Sequence, residues 1–342
     1  MSRLLHYETD KFFTISGQSV APTGSDVIYI SDFFDSKLLT EIVEIHGSFQ
    51  FLVTDVESRN YDNSPVPIIF VPGLRMGMLN WVYWFDQNDY NKTQHCFNFA
   101  INKKRPDRHC LLKLIEWFDL DSYVYTWSGI GANFDCARLI QDVNAIDAEW
   151  NTEQFFSHLL SPVQKISPTW LHAGPDCGAV HGSNRDAGDS IYFMKQSTEI
   201  FATSAVALIT ECSTDYQPNF TFSEKTMMAI ASLNFPIWVG NYGQANQAEH
   251  MGFDVFADII DHDYQYKDTV LERCFYAVHD NLQILSDLGL ARRARQKCMQ
   301  RLLQNRSYLL GANFRQWARQ QTERLPQSVQ NQMQVAYPAL YK

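Results

Sequence analysis

The chain lacks any apolar run near the roughly 18 residues that a membrane-crossing helix requires. Its first residues, MSRLLHYETDKFF, carry charge throughout and lack the apolar centre of a secretory leader. Seven cysteines, an odd number without regular spacing, argue against a disulfide framework and for free thiols in a reducing compartment. These absences predict a cytoplasmic protein, and the sequons at Asn91, Asn219 and Asn305 are then expected to be fortuitous. No internal repeat or low-complexity tract stands out. Basic residues are also in deficit, 28 against 38 acidic, for a net charge of −10. Nine of the 28 fall between Ala291 and Arg324 beside a single acid, Glu323, leaving 19 basic and 37 acidic residues elsewhere. That acidic remainder disfavours a broad face for binding phosphate backbones.

What is present suffices for two cores: 342 residues, 45% hydrophobic and 14% aromatic. Short apolar runs at Val27–Ile30, Phe49–Val53, Pro67–Val71, Phe97–Ile101 and Tyr123–Trp127 alternate with helical spacing over Ser36–His46 and Arg108–Phe118. Strands alternating with helices predict an α/β fold with parallel sheets. Gly129 to Asp189 reads as an irregular connection, followed by a helix near Gln196–Thr203 and another over about Asp268–Leu288, with Gly289 as its stop. The expected division is an N-terminal domain over 1–165, a C-terminal domain over 166–288 and a basic helical extension over 289–342. In that extension Cys298, Met299, Leu302, Leu303, Leu309 and Leu310 form apolar stripes. It reads either as a helix covering the core or as a surface for an anionic partner, the inner membrane face or nucleic acid.

The most informative stretch runs from Ala205 to Gly240. Ala205–Ile209 is a continuous apolar run, as in a strand buried on both faces, and Glu211 stands at its carboxyl end. A polar loop leads to Ser223, a plausible N-cap, and to a helix over Glu224–Leu233, after which Pro236 opens a second strand. Ligands of open α/β sheets bind outside the carboxyl ends of strands, and helix N-termini attract anions. Lys225 in the first turn opposes the helix dipole, so it makes better sense facing a bound diphosphate than as a stabiliser of its own helix. Glu224 could accept hydrogen bonds from ribose or sugar hydroxyls. The competing reading is an ordinary capped surface helix. For a general base, Glu57 and Asp55 follow a presumed strand at its carboxyl end, with Asp32 as runner-up; Glu57 is favoured, against the alternative of a surface loop.

Other clusters point less clearly to chemistry. Asp119-Leu-Asp121 and Asp261-His-Asp263 have the spacing of divalent-metal pairs but read as turns. His172, Cys177 and His181 lack a well-spaced fourth zinc ligand. Trp81, Tyr83, Trp84 and Phe85 suit core packing or stacking on a sugar or base.

Glu211-Cys-Ser, then Phe222-Ser-Glu-Lys-Thr226 and Pro236-Ile-Trp-Val-Gly240, resemble the donor-binding signature of the α1,3-fucosyltransferase family, including its bacterial and viral members, in which a FENS element precedes a TEK element. The similarity extends through His250–Phe253, Phe256 and Ile259–Asp261 to Tyr264, and upstream Asn102 to Arg108 fits an element of Asn, five residues, Arg. It spans about residues 95–285, with Cys212 and Ser223 where relatives carry Asn and Thr.

The resemblance implies two Rossmann-like domains facing a cleft, the GT-B type. It implies an inverting hexosyltransferase using a nucleoside-diphosphate sugar, GDP-sugar favoured, with no metal required, on an oligosaccharide or other hydroxyl acceptor. Arg108 then reaches the donor diphosphate opposite Lys225, with Lys104 and Arg105 as alternatives, while Asn102, Glu211, Ser223 and Glu224 complete the donor site. Two further readings stay open: transfer to modified bases of viral DNA, and a non-catalytic nucleotide-sugar binder that has kept the donor half alone.

Overall fold

The structure is a computed structural model that describes residues 2–8, 11–14, 18–30, 40, 42–45, 50–54, 56–58, 66–70, 92–101, 106–121, 123–127, 153–161, 170–172, 200–211, 219–221, 224–239, 242–311, 316 and 319–336. It is mixed α/β, and its sheets are dominated by parallel pairing. The chain divides into two compact units: residues 1–80, 217–224 and 307–342 form the first, and 81–216 with 225–306 the second.

The first unit holds β1 (Leu4–Glu8), β2 (Lys11–Thr14), β3 (Val27–Ile30), β4 (Phe51–Thr54), β5 (Val56–Ser58) and β6 (Ile68–Phe70). Five of these form a sheet in the order β2-β1-β3-β4-β6, antiparallel only between β2 and β1. Leu5, Phe12, Ile28, Ile42, Leu52 and Val66 pack into its core. The amino edge is tied by Arg3, just ahead of β1, whose guanidinium grips Asp26, just ahead of β3, through Nε at 3.0 Å and Nη2 at 2.6 Å. In the same unit β5 pairs antiparallel with β11 (Asn219–Thr221), setting Glu57 opposite Phe220. The helix Gln327–Ala336 is fastened to the first strand by Gln332, which accepts from the Leu4 N–H and donates to the Ser2 carbonyl.

The second unit is built on β7 (His95–Ile101), β8 (Tyr123–Trp127), β9 (Trp170–His172), β10 (Ser204–Thr210) and β12 (Phe235–Val239). They form one all-parallel sheet in the order β12-β10-β7-β8-β9. Every residue of β10 and β12 is buried, as their unbroken apolar runs require. Pro236 is compatible with β12 because that strand lies at the sheet edge, where one side needs no N–H donor.

The helices of this unit are α1 (Pro106–Trp117), α2 (Glu153–Leu160), α3 (Glu224–Ala231), α4 (Gln244–His250), α5 (Val270–His279), α6 (Leu282–Ser286) and α7 (Leu288–Lys297); α8 (Met299–Leu310) follows. Two helices end on non-glycine residues in the left-handed region. Asp119 (φ 50°) closes α1, with Leu120 N–H reaching Ile115 O, and Leu233 (φ 60°) closes α3, with Asn234 N–H reaching Ala229 O. The Asp119–Asp121 pair is therefore a helix stop.

Four expectations are revised. The division near residue 165 does not separate the sheets, because β7 and β8 join β10 and β12 in one sheet, which puts Arg108 and Lys225 in the same unit. The single helix over 268–288 is broken at Asn281, whose amide donates to Asp261 O and Ala277 O while its oxygen accepts from Asp261 N–H. Gly289 is no stop: it lies in the first turn of α7, which Asp287 caps by accepting from Leu290 N–H. Within the segment expected to be irregular, α2 and β9 are ordered elements.

Candidate functional site

β7 and β10 are adjacent and parallel, with Val206, Ala207 and Leu208 opposite Phe97, Asn98 and Phe99, so their carboxyl ends emerge side by side. The chain leaving β7 enters α1, and Arg108 is the third residue of that helix. After β10 it reaches α3, where Lys225 is the second residue. Both cations thus occupy the first turn of a helix at the carboxyl edge, where the dipole is unfavourable to them; in α1 the acid Asp107 offsets part of this. Both are 4% exposed, and a cation held that far from water acts strongly on an anion brought to it.

Side-chain hydrogen bonds tie this edge together. Arg108 Nε donates to Thr210 Oγ1 at 2.9 Å, from α1 to the last residue of β10. The next residue, Glu211, accepts from the Thr226 hydroxyl in the first turn of α3. Thr226 in turn accepts from Trp238 Nε1, in β12, at 2.9 Å. Thr210, Glu211 and Thr226 are wholly buried, and Trp238 nearly so. The indole of Trp238 lies 6.0 Å from the His262 ring, centroid to centroid. His262 Nε2 meets the Val255 carbonyl at 2.8 Å, so the proton sits on Nε2 and Nδ1 is left to accept. Burial lowers the His262 pKa, and burial likewise pushes the Tyr264 hydroxyl upward.

The structure thus brings Arg108, Glu211 and Lys225 to one edge of one sheet. Asn102, Ser223, Lys104, Arg105, Asp55 and Asp32 lie outside the described residues, as do Cys177, His181 and the aromatic group Trp81–Phe85. Glu224 is described as the first residue of α3, and Glu57 as the middle residue of β5, paired with the strand that precedes α3. The sequence reading did not single out Thr210, Thr226 or Trp238. A buried tryptophan N–H requires an acceptor, and that was the available signal for the last of them.

A concavity of about 440 Å³ is lined by Asn246, Glu249, Asp258, Asp261, His262, Asp263, Gln265 and Tyr266 among others. Its Asp261 carboxylate accepts from Asp263 N–H within the loop. Among the described residues no three His, Cys, Asp or Glu side chains group to hold a metal ion.

Three arginines in the first half of the basic C-terminal stretch bond to the rest of the second unit. Arg295 is 1% exposed and donates to the carbonyls of Leu233, Ala202 and Ser232 and to the Thr93 hydroxyl. Arg292 donates to Thr93 O, and Arg301 pairs with Asp254 and Asp258. Of the cysteines, Cys96, Cys110, Cys274 and Cys298 are buried free thiols. Among the described residues no helix is long and apolar enough to cross a membrane.

No protein-family model matches the chain, and no curated protein matches it. Among solved structures it is similar to an α,α-trehalose-phosphate synthase (UDP-forming) from Burkholderia xenovorans in complex with glucose-6-phosphate. The identity is 10% over 87% of this chain and 74% of that one, with a TM-score of 0.36. A likeness this loose carries no weight for either fold or chemistry, and the resemblance to fucosyltransferases rests on the motif residues alone.

Proposed function

We propose that the protein is an inverting glycosyltransferase that takes its sugar from a nucleoside diphosphate held at the carboxyl edge of the second unit's sheet. The supporting observation is that two nearly buried cations, Arg108 and Lys225, stand in the first turns of helices reached from adjacent parallel strands. A diphosphate there is drawn both by the helix N-termini and by the two cations they carry. Arginine's planar fork suits phosphate oxygens, and the ammonium of Lys225 adds a point charge. In the transfer the acceptor oxygen attacks the anomeric carbon as the bond to the diphosphate oxygen breaks. The nucleoside diphosphate leaves with the electron pair, its developing charge met by the two cations. Glu57 takes the acceptor proton. The GT-B type of arrangement, a fucose-like hexose and a GDP donor belong to the same proposal and rest on the motif resemblance.

Thermal shift against GDP-, UDP-, CMP- and dTDP-sugars identifies the donor as the one that raises the melting temperature. With that donor, Lys225→Ala is expected to lower kcat by about 10²–10³ while the variant stays folded; undiminished turnover removes the assignment. Glu57→Gln separates the base from the donor site: turnover falls by about 10²–10⁴ with donor affinity kept, and loss of affinity instead would show that Glu57 is not the base.

A further inference from the structure

With Glu211 ionised, the hydrogen bonds beside the two cations run in one direction. Trp238 Nε1 can only donate, so Thr226 accepts from it, and the single Thr226 hydroxyl proton goes to the Glu211 carboxylate. This chain joins the end of β10, the first turn of α3 and β12, and each of its members is at most 1% exposed. Burying a carboxylate to pin a helix turn is costly when apolar packing would hold the same helix. Its place explains the choice: Thr226 is the residue after Lys225, and Glu211 follows Thr210, the hydroxyl that receives Arg108 Nε.

We infer that Glu211, Thr226 and Trp238 are positioning residues for the donor diphosphate, a role that rests on the function proposed above. Thr226 fixes the rotation and height of the first turn of α3, and so the direction of the Lys225 ammonium. Glu211 accepts from that turn and shares its backbone with the residue that orients Arg108, so one buried carboxylate sets the spacing of both cations. Glu211 therefore serves the diphosphate through Thr226 and the backbone of β10, and it is not a direct ligand.

Titration calorimetry with GDP and UDP on the full chain tests this. Thr226→Val keeps the shape and removes the hydroxyl; it raises the Kd of whichever diphosphate binds by tenfold or more, and Thr226→Ser restores it to within about threefold of wild type. On a Lys225→Ala background the same Thr226→Val change has little further effect, because Thr226 acts through that lysine. A purely structural role predicts a lower melting temperature with unchanged Kd in every background, and that result overturns the inference while leaving the function standing. If Thr226→Val does not fold, Trp238→Phe, which removes the indole donor together with part of the ring volume, is read by the same criterion of Kd against melting temperature. Wild-type protein that binds neither diphosphate overturns both.

Discussion

Arginines stand at both ends of the second unit's sheet, and they are held in opposite ways. At the amino edge Arg295 gives its N–H groups to atoms just ahead of three strands: Thr93 before β7, Ala202 before β10, and Ser232 and Leu233 before β12. Three of those four acceptors are backbone carbonyls, so the fold itself satisfies the guanidinium and the residue acts as a bolt. It also steadies Leu233, whose left-handed backbone carries strain that its surroundings must hold. At the carboxyl edge Arg108 reaches a threonine hydroxyl, and Lys225 stands beside a threonine bonded to a carboxylate. Thr210, Glu211 and Thr226 offer side-chain oxygens at the carboxyl edge, whereas Leu233, Ala202 and Ser232 offer backbone carbonyls at the amino edge. The first unit repeats the bolt, with Arg3 ahead of β1 gripping Asp26 ahead of β3.

This contrast can be broken most severely at Arg295. Replacing it with alanine leaves three carbonyls and a hydroxyl without their donor, at about 1–3 kcal/mol each before water relieves some of them. The expected loss in urea denaturation is about 3 kcal/mol or more, with little recovery in Arg295→Lys because the planar fork is gone. A loss below about 1 kcal/mol would show that the amino edge does not need its bolt.

A smaller effect is expected at Asp26. Burial pushes its carboxyl pKa up, but hydrogen bonds from Arg3 and Thr23 outweigh this, and the net shift is downward. A carboxylate with a depressed folded pKa contributes stability that is present above its unfolded value, near 4, and is lost as pH falls through the folded value. Denaturation followed from pH 7 to 2 should therefore show a decline beginning below about pH 4 that is smaller in Asp26→Asn, where the lowered Asp258 carboxyl remains. The substitution itself is expected to cost about 1–2 kcal/mol at pH 7, since Arg3 is 38% exposed and its charge partly screened.

The least effect is expected from Arg301→Ala. Its ion pairs with Asp254 and Asp258 are partly solvent-exposed, with side chains 36%, 34% and 55% accessible. The change should lie under about 1 kcal/mol and shrink further in high salt. An effect as large as that of Arg295→Ala would show that burial does not separate the two classes of arginine.

The sequence disclosed strands of the second unit's sheet better than the short strands of the first unit. β8 and the bulk of β10 and β12 were legible because continuous apolar runs need burial on both faces. β1, β2, β5 and β11, with sequences LLHYE, KFFT, VES and NFT, carry too little periodicity to be read alone, and pairing decides them. Nor does a sequence say which sheet a strand joins: the β7 to β10 pairing, between residues about a hundred positions apart, moved Arg108 into the unit of Lys225. The helix expected over 268–288 failed for a similar reason, since the partners of the Asn281 side chain are set by the fold. In the candidate site both cations were visible as first-turn residues or motif matches. The Trp238–Thr226–Glu211 chain was not, because it depends on the directions of three side chains on separate elements.

Calorimetric binding of GDP and UDP to wild type, Arg108→Ala, Lys225→Ala and Arg295→Lys tests the central claim, that one diphosphate is shared by two cations at the carboxyl edge. The account predicts binding by wild type, a loss of tenfold or more in each carboxyl-edge variant, and near wild-type affinity in Arg295→Lys under conditions where it is folded. Equal affinity in all four proteins, or no binding by wild type, would contradict it.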